Sequence, residues 1–333
     1  MKPATLGGLG ALLLTFAIPG VARVVTGPAP VPPQYQNDVP EQPADWSAER
    51  AALGKRLFQD RVLSRDYTVS CQDCHKPELA FTDGKKTARG MKGHVGPRNT
   101  PTLVNRALGK AQFWDGRAAN LVEQALGPIA APGEMDLAPE EAAARLAKDA
   151  SYNAAFQKAF GATPTPQRIA SAIAAYESTI YSVDAPFDRY LAGDQNALGP
   201  EARRGLALFG GKAKCSECHS GANFTDELYH CLGVGDDKGR GGLKGMEKDA
   251  GQFKTPTLRE IALTGPYMHD GSVATLAEVV DLYDRGGTPH PNLDPKIHRL
   301  GLSAQEKADL VAFMQGLSGK VVEVASVEGN GTR

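Results

Sequence analysis

Apolar positions along the chain recur mostly at helical spacing. Residues 47–58 carry this pattern and end in the apolar pair Leu57 and Phe58. From Pro139 to Phe160 the chain is rich in alanine and glutamate at the same period. Thr165-Pro166 opens a further helix, with Ile169, Ile173, Tyr176 and Ile180 on one face. Gly199-Pro200 starts another, running into Leu206, Leu208 and Phe209, and residues 184–199 read as a connection before it. Two capping boxes, Thr275 with Glu278 and Ser303 with Glu306, fix two more helix starts. Leu276, Val279, Val280 and Tyr283 share a face of the first, and Leu310, Phe313 and Met314 are apolar positions of the second. No β-rich alternation stands out. The expectation is a mainly α fold in which long loops, supplied by 37 glycines and 23 prolines, join the helices.

A chain of 333 residues has room for two domains of ~100–200 residues each. Its formal charge of -1, with no basic run interleaved with aromatics, argues against nucleic-acid binding. At the start, Lys2 precedes an apolar run from Leu6 to Ile18 and the small residues Gly20 and Ala22. This reads as a signal peptide over residues 1–22, because the run is short of the ~20 residues that span a bilayer. An uncleaved anchor is the alternative. Either way the folded part is exported, which places it in the periplasm. Residues 23–46 are proline-rich and read as extended.

Export sharpens the question of the five cysteines. In an oxidising compartment cysteines usually pair, and an odd number leaves one over. Four of them form CQDCH at 71–75 and CSECH at 215–219. A C-x-x-C is a redox disulfide, half of a zinc site, or the anchor of a c-type haem. A histidine directly after the second cysteine favours haem: two thioethers hold the macrocycle and the imidazole ligates the iron. Cys71, Cys74, Cys215 and Cys218 are then the attachment points, and His75 and His219 the proximal iron ligands. Phe-Thr-Asp follows each motif, at Phe81–Asp83 and Phe224–Asp226. The repeat suggests two cytochrome c-like domains, 47–190 and 198–320, each a few helices around one covalent haem c, followed by a tail at 321–333. Cys231 is left as a lone thiol.

The longer segments RNTPTLVN (98–105), FWDGRAANLVEQALGP (113–128), GEM (133–135), KTPTLREIALTGPYMHDGS (254–272) and VDLYDRGG (280–287) lie around these motifs. Together they resemble the bacterial di-haem cytochrome c peroxidase family, which includes MauG-type enzymes, from about residue 47 to 318. The resemblance implies an N-terminal haem that meets peroxide and a C-terminal haem that passes electrons, with Trp114 between them. Gln124 and Glu134 match distal-pocket residues, Pro128 lines that pocket, and a partly buried glutamate suits proton transfer. His94 matches a histidine that binds the peroxidatic iron at rest, or else is a solvent-facing loop residue. Tyr283 stands where peroxidases carry the methionine ligand of the second iron and MauG-type members a tyrosine; Met268 is the rival ligand, and simple packing the bland reading. Asn99, with the carbonyls of Thr264 and Pro266, matches a calcium site, three oxygens plus waters being suitable; loop capping is the alternative. Arg259 matches a haem propionate partner, and His269 lies close to the second haem.

The implied activity is reduction of hydrogen peroxide with electrons from a small cytochrome c or a cupredoxin. The close alternative is MauG-like oxidation of a partner protein's residues through a bis-ferryl state. The rival from another class is a non-catalytic di-haem electron carrier, in which Gln124 and Glu134 have no purpose. Monomer and homodimer both stay open.

Overall fold

The computed structural model describes residues 32–35 and 46–324. The signal peptide, most of the proline-rich segment and the tail beyond 324 lie outside the described residues. Within them the fold is mainly helical, as expected, with four short strands in two antiparallel pairs.

The first half starts with α1 (Ala48–Gln59), whose Ser47 cap accepts from the Arg50 amide. A single turn, α2 (Cys71–Cys74), carries the first cysteine pair. Next come α3 (Leu121–Ala130), α4 (Pro139–Lys148), α5 (Ala150–Phe160) and α6 (Pro166–Glu177). The alanine-rich stretch forms two helices. Asp149 breaks it, because its carboxylate caps the amides of Ser151 and Tyr152.

The helix from Thr165 stops at Glu177, so Ile180 is not on its face. Ser178 and Thr179 turn their hydroxyls back onto the carbonyls of Ala175 and Tyr176. Ile180 instead opens strand β1 (Ile180–Val183). The stretch read as a connection contains a helix of its own, α7 (Pro186–Leu191).

The second half holds α8 (Pro200–Gly210), β2 (Tyr229–His230), β3 (Phe253–Lys254), α9 (Leu276–Asp284) and α10 (Ala304–Gln315). Both capping boxes form. The last strand, β4 (Lys320–Glu323), pairs with β1, Ile180 facing Glu323 and Val183 facing Lys320. The segment read as a tail therefore begins inside a strand.

The duplication is visible in the backbone. In each half the helix before the cysteine motif crosses the last helix at a glycine. A Cβ on Gly54 of α1 would overlap the Ala172 carbonyl of α6, and one on Gly205 of α8 the Asp309 carbonyl of α10. Asn120 caps α3 as Thr275 caps α9. Seven residues earlier Phe113 and Met268 both have positive φ, at 66° and 72°. Isolated bridges Gln112–Ala118 and Tyr267–Val273 close the same turn. Aligned this way, Trp114 corresponds to His269, Pro128 to Tyr283, and Asn99 to Lys254.

Candidate functional site

A continuous cavity of about 970 Å³ runs between the halves and is walled by both cysteine motifs. The two histidines are held alike. His75 Nδ1 lies 2.9 Å from the Phe81 carbonyl, and His219 Nδ1 lies 3.0 Å from that of Phe224. A carbonyl only accepts, so Nδ1 carries the proton and Nε2 keeps its lone pair for a metal. Burial pushes both imidazoles below their ordinary range, which keeps them neutral and able to ligate. The phenylalanine of each Phe-Thr-Asp segment thus orients its ligand through the main chain. All four motif cysteines are free thiols set in the cavity wall.

These features fit two haems. Each motif offers two thiols and one tautomerically fixed imidazole to the same cavity. Among its lining side chains Glu177 Oε2 and His269 Nε2 are buried with no protein partner, so polar groups of a bound molecule have places to reach.

In the first half Gln124 and Pro128 on α3 and Glu134 beyond it face the cavity. Pro128 has no N–H to give the Gln124 carbonyl, which it would otherwise bond within the helix. Glu134 is open at the mouth of the cavity. Even so, the protein around it pushes its carboxyl above the usual range, with Arg117 partly opposing. His94 does not join them. It is exposed, and its ring packs over Gly133 outside the cavity wall.

In the second half Tyr283 and Met268 both reach the cavity. Burial, then the nearby Cys215 and Cys218, pushes the Tyr283 phenol far above its usual value. Arg259 does not reach it. Its guanidinium is spent on the Asp188 carboxylate, at 3.0 and 2.9 Å, and on the Ala222 carbonyl at 2.8 Å, so α7 takes the charge expected for a propionate.

Trp114 sits where the halves meet. Its Nε1 donates to the Asn99 carbonyl at 2.9 Å, and its own carbonyl accepts from the Lys254 amide at 2.8 Å. The relation is reciprocal, since the Asn99 amide donates to the His269 carbonyl at 2.7 Å. That contact brings Asn99 beside the segment holding Thr264 and Pro266, and all three line the cavity. Arg98 braces the junction by bonding Asp115 at 2.6 Å and Asp237 at 2.7 and 3.0 Å.

Three groups at the junction went unread in the sequence: Arg106, Glu227 and Lys254. Aligning RNTPT with FKTPT would have put Lys254 opposite Asn99. Cys231 is buried, with its sulfur 3.2 Å from His290 Nδ1.

Residues 48–196 match the family model for di-haem cytochrome c peroxidase. Over 275 residues the chain is 42% identical to the methylamine utilization protein MauG of Methylorubrum extorquens, covering 81% of this chain and 78% of that one. It is 39% identical to the cytochrome c551 peroxidase of Nitrosomonas europaea, covering 82% and 81%. Among solved structures, a MauG-like protein associated with microbial copper homeostasis superposes with a TM-score of 0.79 at 34% identity, over 87% of this chain and 95% of that one. The chain belongs to the di-haem cytochrome c peroxidase family. It is an oxidoreductase of the peroxidase type, and the family implies two haem c groups and hydrogen peroxide as substrate. Among the described residues no helix is long and apolar enough to cross a membrane.

Proposed function

We propose that the chain reduces hydrogen peroxide in the half carrying His75, using electrons delivered from the half carrying His219. The observation that carries this reading is the asymmetry of the cavity wall: Gln124, Pro128 and Glu134 in one half, Tyr283 in the other. Cys71, Cys74 and His75 would hold one haem, and Cys215, Cys218 and His219 the other, as two cytochrome c-like domains over 47–190 and 198–320. When bound, the haems supply the redox-active iron that cleaves the peroxide and stores charge.

The chain's own groups handle the rest. Reduction of one peroxide to two waters takes two electrons and two protons. Glu134 takes the proton from one peroxide oxygen and returns it to the other, a task suited to a carboxyl held above its usual range. Gln124 orients the peroxide beside it. Pro128 offers no ligand atom, which keeps that side accessible, and His94 outside the wall leaves it so. Trp114 bridges the halves through the Asn99 and Lys254 contacts and carries charge between them. Asn99, Thr264 and Pro266 would hold a calcium ion at the junction. The protein works in the periplasm.

Tyr283 favours a second reading, MauG-like oxidation of a partner protein's residues, over supply of electrons by a small cytochrome c or cupredoxin. An anionic oxygen ligand stabilises oxidised iron, whereas a thioether such as Met268 raises the potential. A pure electron carrier would leave Gln124 and Glu134 without work.

The deciding experiment is peroxide turnover by the di-haem protein and its Glu134→Gln variant. A fall of ~10²–10⁴-fold is expected for loss of a general acid–base group. Unchanged turnover removes the proton-transfer role.

A further inference from the structure

Arg106, Glu227 and Lys254 meet where the two halves join, with side chains 9%, 5% and 7% exposed. Arg106 places four of its five N–H donors on protein groups and has one hydrogen on Nη1 left over. Its Nη1 and Nη2 reach the two Glu227 oxygens at 3.0 and 3.4 Å, its Nε donates to Gln112 at 2.9 Å, and Nη2 also donates to the Ala111 carbonyl. Glu227 in turn accepts the Lys110 amide at 3.2 Å.

Lys254 is left with little. Of its three N–H donors, one makes a long 3.4 Å bond to Glu227 Oε1. Two buried cations therefore share one carboxylate. A buried unpaired charge is expensive and calls for a counter-ion.

No neighbouring group of the chain supplies it. Glu177 faces Arg106, but burial pushes its carboxyl up to about 8, so it is uncharged near neutrality. Asp226 already accepts from His230 at 3.0 Å and from the Leu228 amide at 2.9 Å. Tyr229, opposite Lys254 in the β2–β3 pair, is a phenol pushed further from ionisation by burial. Burial, with Arg106 adding to it, pushes Lys254 itself down to about 7, and Glu227 only partly opposes this, the mark of an ammonium short of negative charge. Both cations line the cavity that the two cysteine motifs share.

We propose that Arg106 and Lys254 form the seat of a haem propionate carboxylate at the junction, with Lys254 as its ammonium partner. This rests on the two-haem reading above. It gives Lys254 the work that the sequence assigned to Arg259. It also couples the site to Trp114, because the Lys254 amide holds the Trp114 carbonyl.

The test uses the haem-loaded full chain with Lys254→Met, Lys254→Arg and Glu227→Gln. Haem stoichiometry is counted first, by pyridine haemochrome absorbance, and the midpoint potential of each haem is then measured by spectroelectrochemistry. A nearby cation favours the reduced iron. Lys254→Met should lower the potential of one haem, Lys254→Arg should leave it in place, and Glu227→Gln, which adds net positive charge, should raise it. Opposite signs from two neighbouring substitutions are not what general loosening of the structure produces. The ligand signature of the haem that moves tells whether the propionate belongs to the His75 or the His219 group. Two-haem variants with both potentials unmoved overturn the proposal alone. If Lys254→Met fails to hold two haems, an unmoved potential in Glu227→Gln overturns it. A wild-type chain with fewer than two haems overturns the two-haem reading and this proposal together.

Discussion

The two halves repeat several backbone features and differ at the cavity wall. Helix crossings at Gly54 and Gly205, caps at Asn120 and Thr275, and left-handed residues at Phe113 and Met268 repeat closely. The side chains that face the cavity from equivalent positions do not: Pro128 against Tyr283, Trp114 against His269, Asn99 against Lys254. The repeat is kept where it holds helices and imidazoles in place. It has diverged where a bound group or substrate would be touched, so shared architecture says little about what each half does.

The sharpest break in that comparison is Glu134, because the proposed chemistry belongs to the first half alone. Along with its loss of turnover, Glu134→Gln should remove the acid limb of the pH–rate profile. In the wild type that limb should lie above the ordinary carboxylate range, since the protein around the group raises it. A wild-type limb at ordinary carboxylate pH would detach it from Glu134.

Exchanging the residues at one equivalent position comes next. Pro128→Tyr should give the first half the oxygen ligand proposed for the second and depress peroxide turnover. Tyr283→Phe should change the low-spin EPR signal of the second haem. A spectrum indifferent to Tyr283→Phe rules out tyrosine ligation.

The glycine crossings should show the halves as equals. Gly54→Ala and Gly205→Ala each force a methyl group into a carbonyl of the facing helix. Each should cost about 1–3 kcal/mol, read as a lowered Tm. A loss in one variant only would show that the two crossings do not bear the same load.

The last effect is a pH dependence at Glu177. Its folded carboxyl is raised from 4.5 to about 8 by burial, so the folded state keeps a proton that the unfolded chain releases. The stabilisation from this group is complete below about pH 4.5 and is lost as pH rises to about 8. Glu177→Gln lacks that loss, so its Tm relative to wild type should climb across this window and then level off. A constant difference from pH 5 to 8 would mean that Glu177 does not titrate there.

Features written in local chemistry were legible in the sequence. Both C-x-x-C-H motifs, the Thr275 and Ser303 capping boxes, and the Pro166 and Pro200 helix starts are where they were expected. Features set by distant partners were not. Ile180 fitted a helical face, but β4, some 140 residues later, takes it into a strand. Arg259 matched a propionate partner, yet Asp188 on a helix hidden in the apparent connection claims it. His94 fitted either an iron ligand or a solvent-facing loop residue, and its ring lies exposed against Gly133. Lys254 carried no motif. Its interest arises because Arg106, 148 positions earlier, reaches both oxygens of the carboxylate that the two share.

The pairing of β4 with β1 also bears on how the protein is made. The first half's last strand waits for a partner that lies beyond the second cysteine motif and the final helix. Until residues 320–323 have been synthesised, β1 presents an open edge. Glu323, which accepts from the Tyr176 hydroxyl at 3.0 Å, is missing from the face of α6 for the same interval. The first half therefore cannot seal ahead of the second. A chain cut short before 320 leaves an adhesive edge exposed, so this two-stranded ribbon closes only once residues 320–323 are in place.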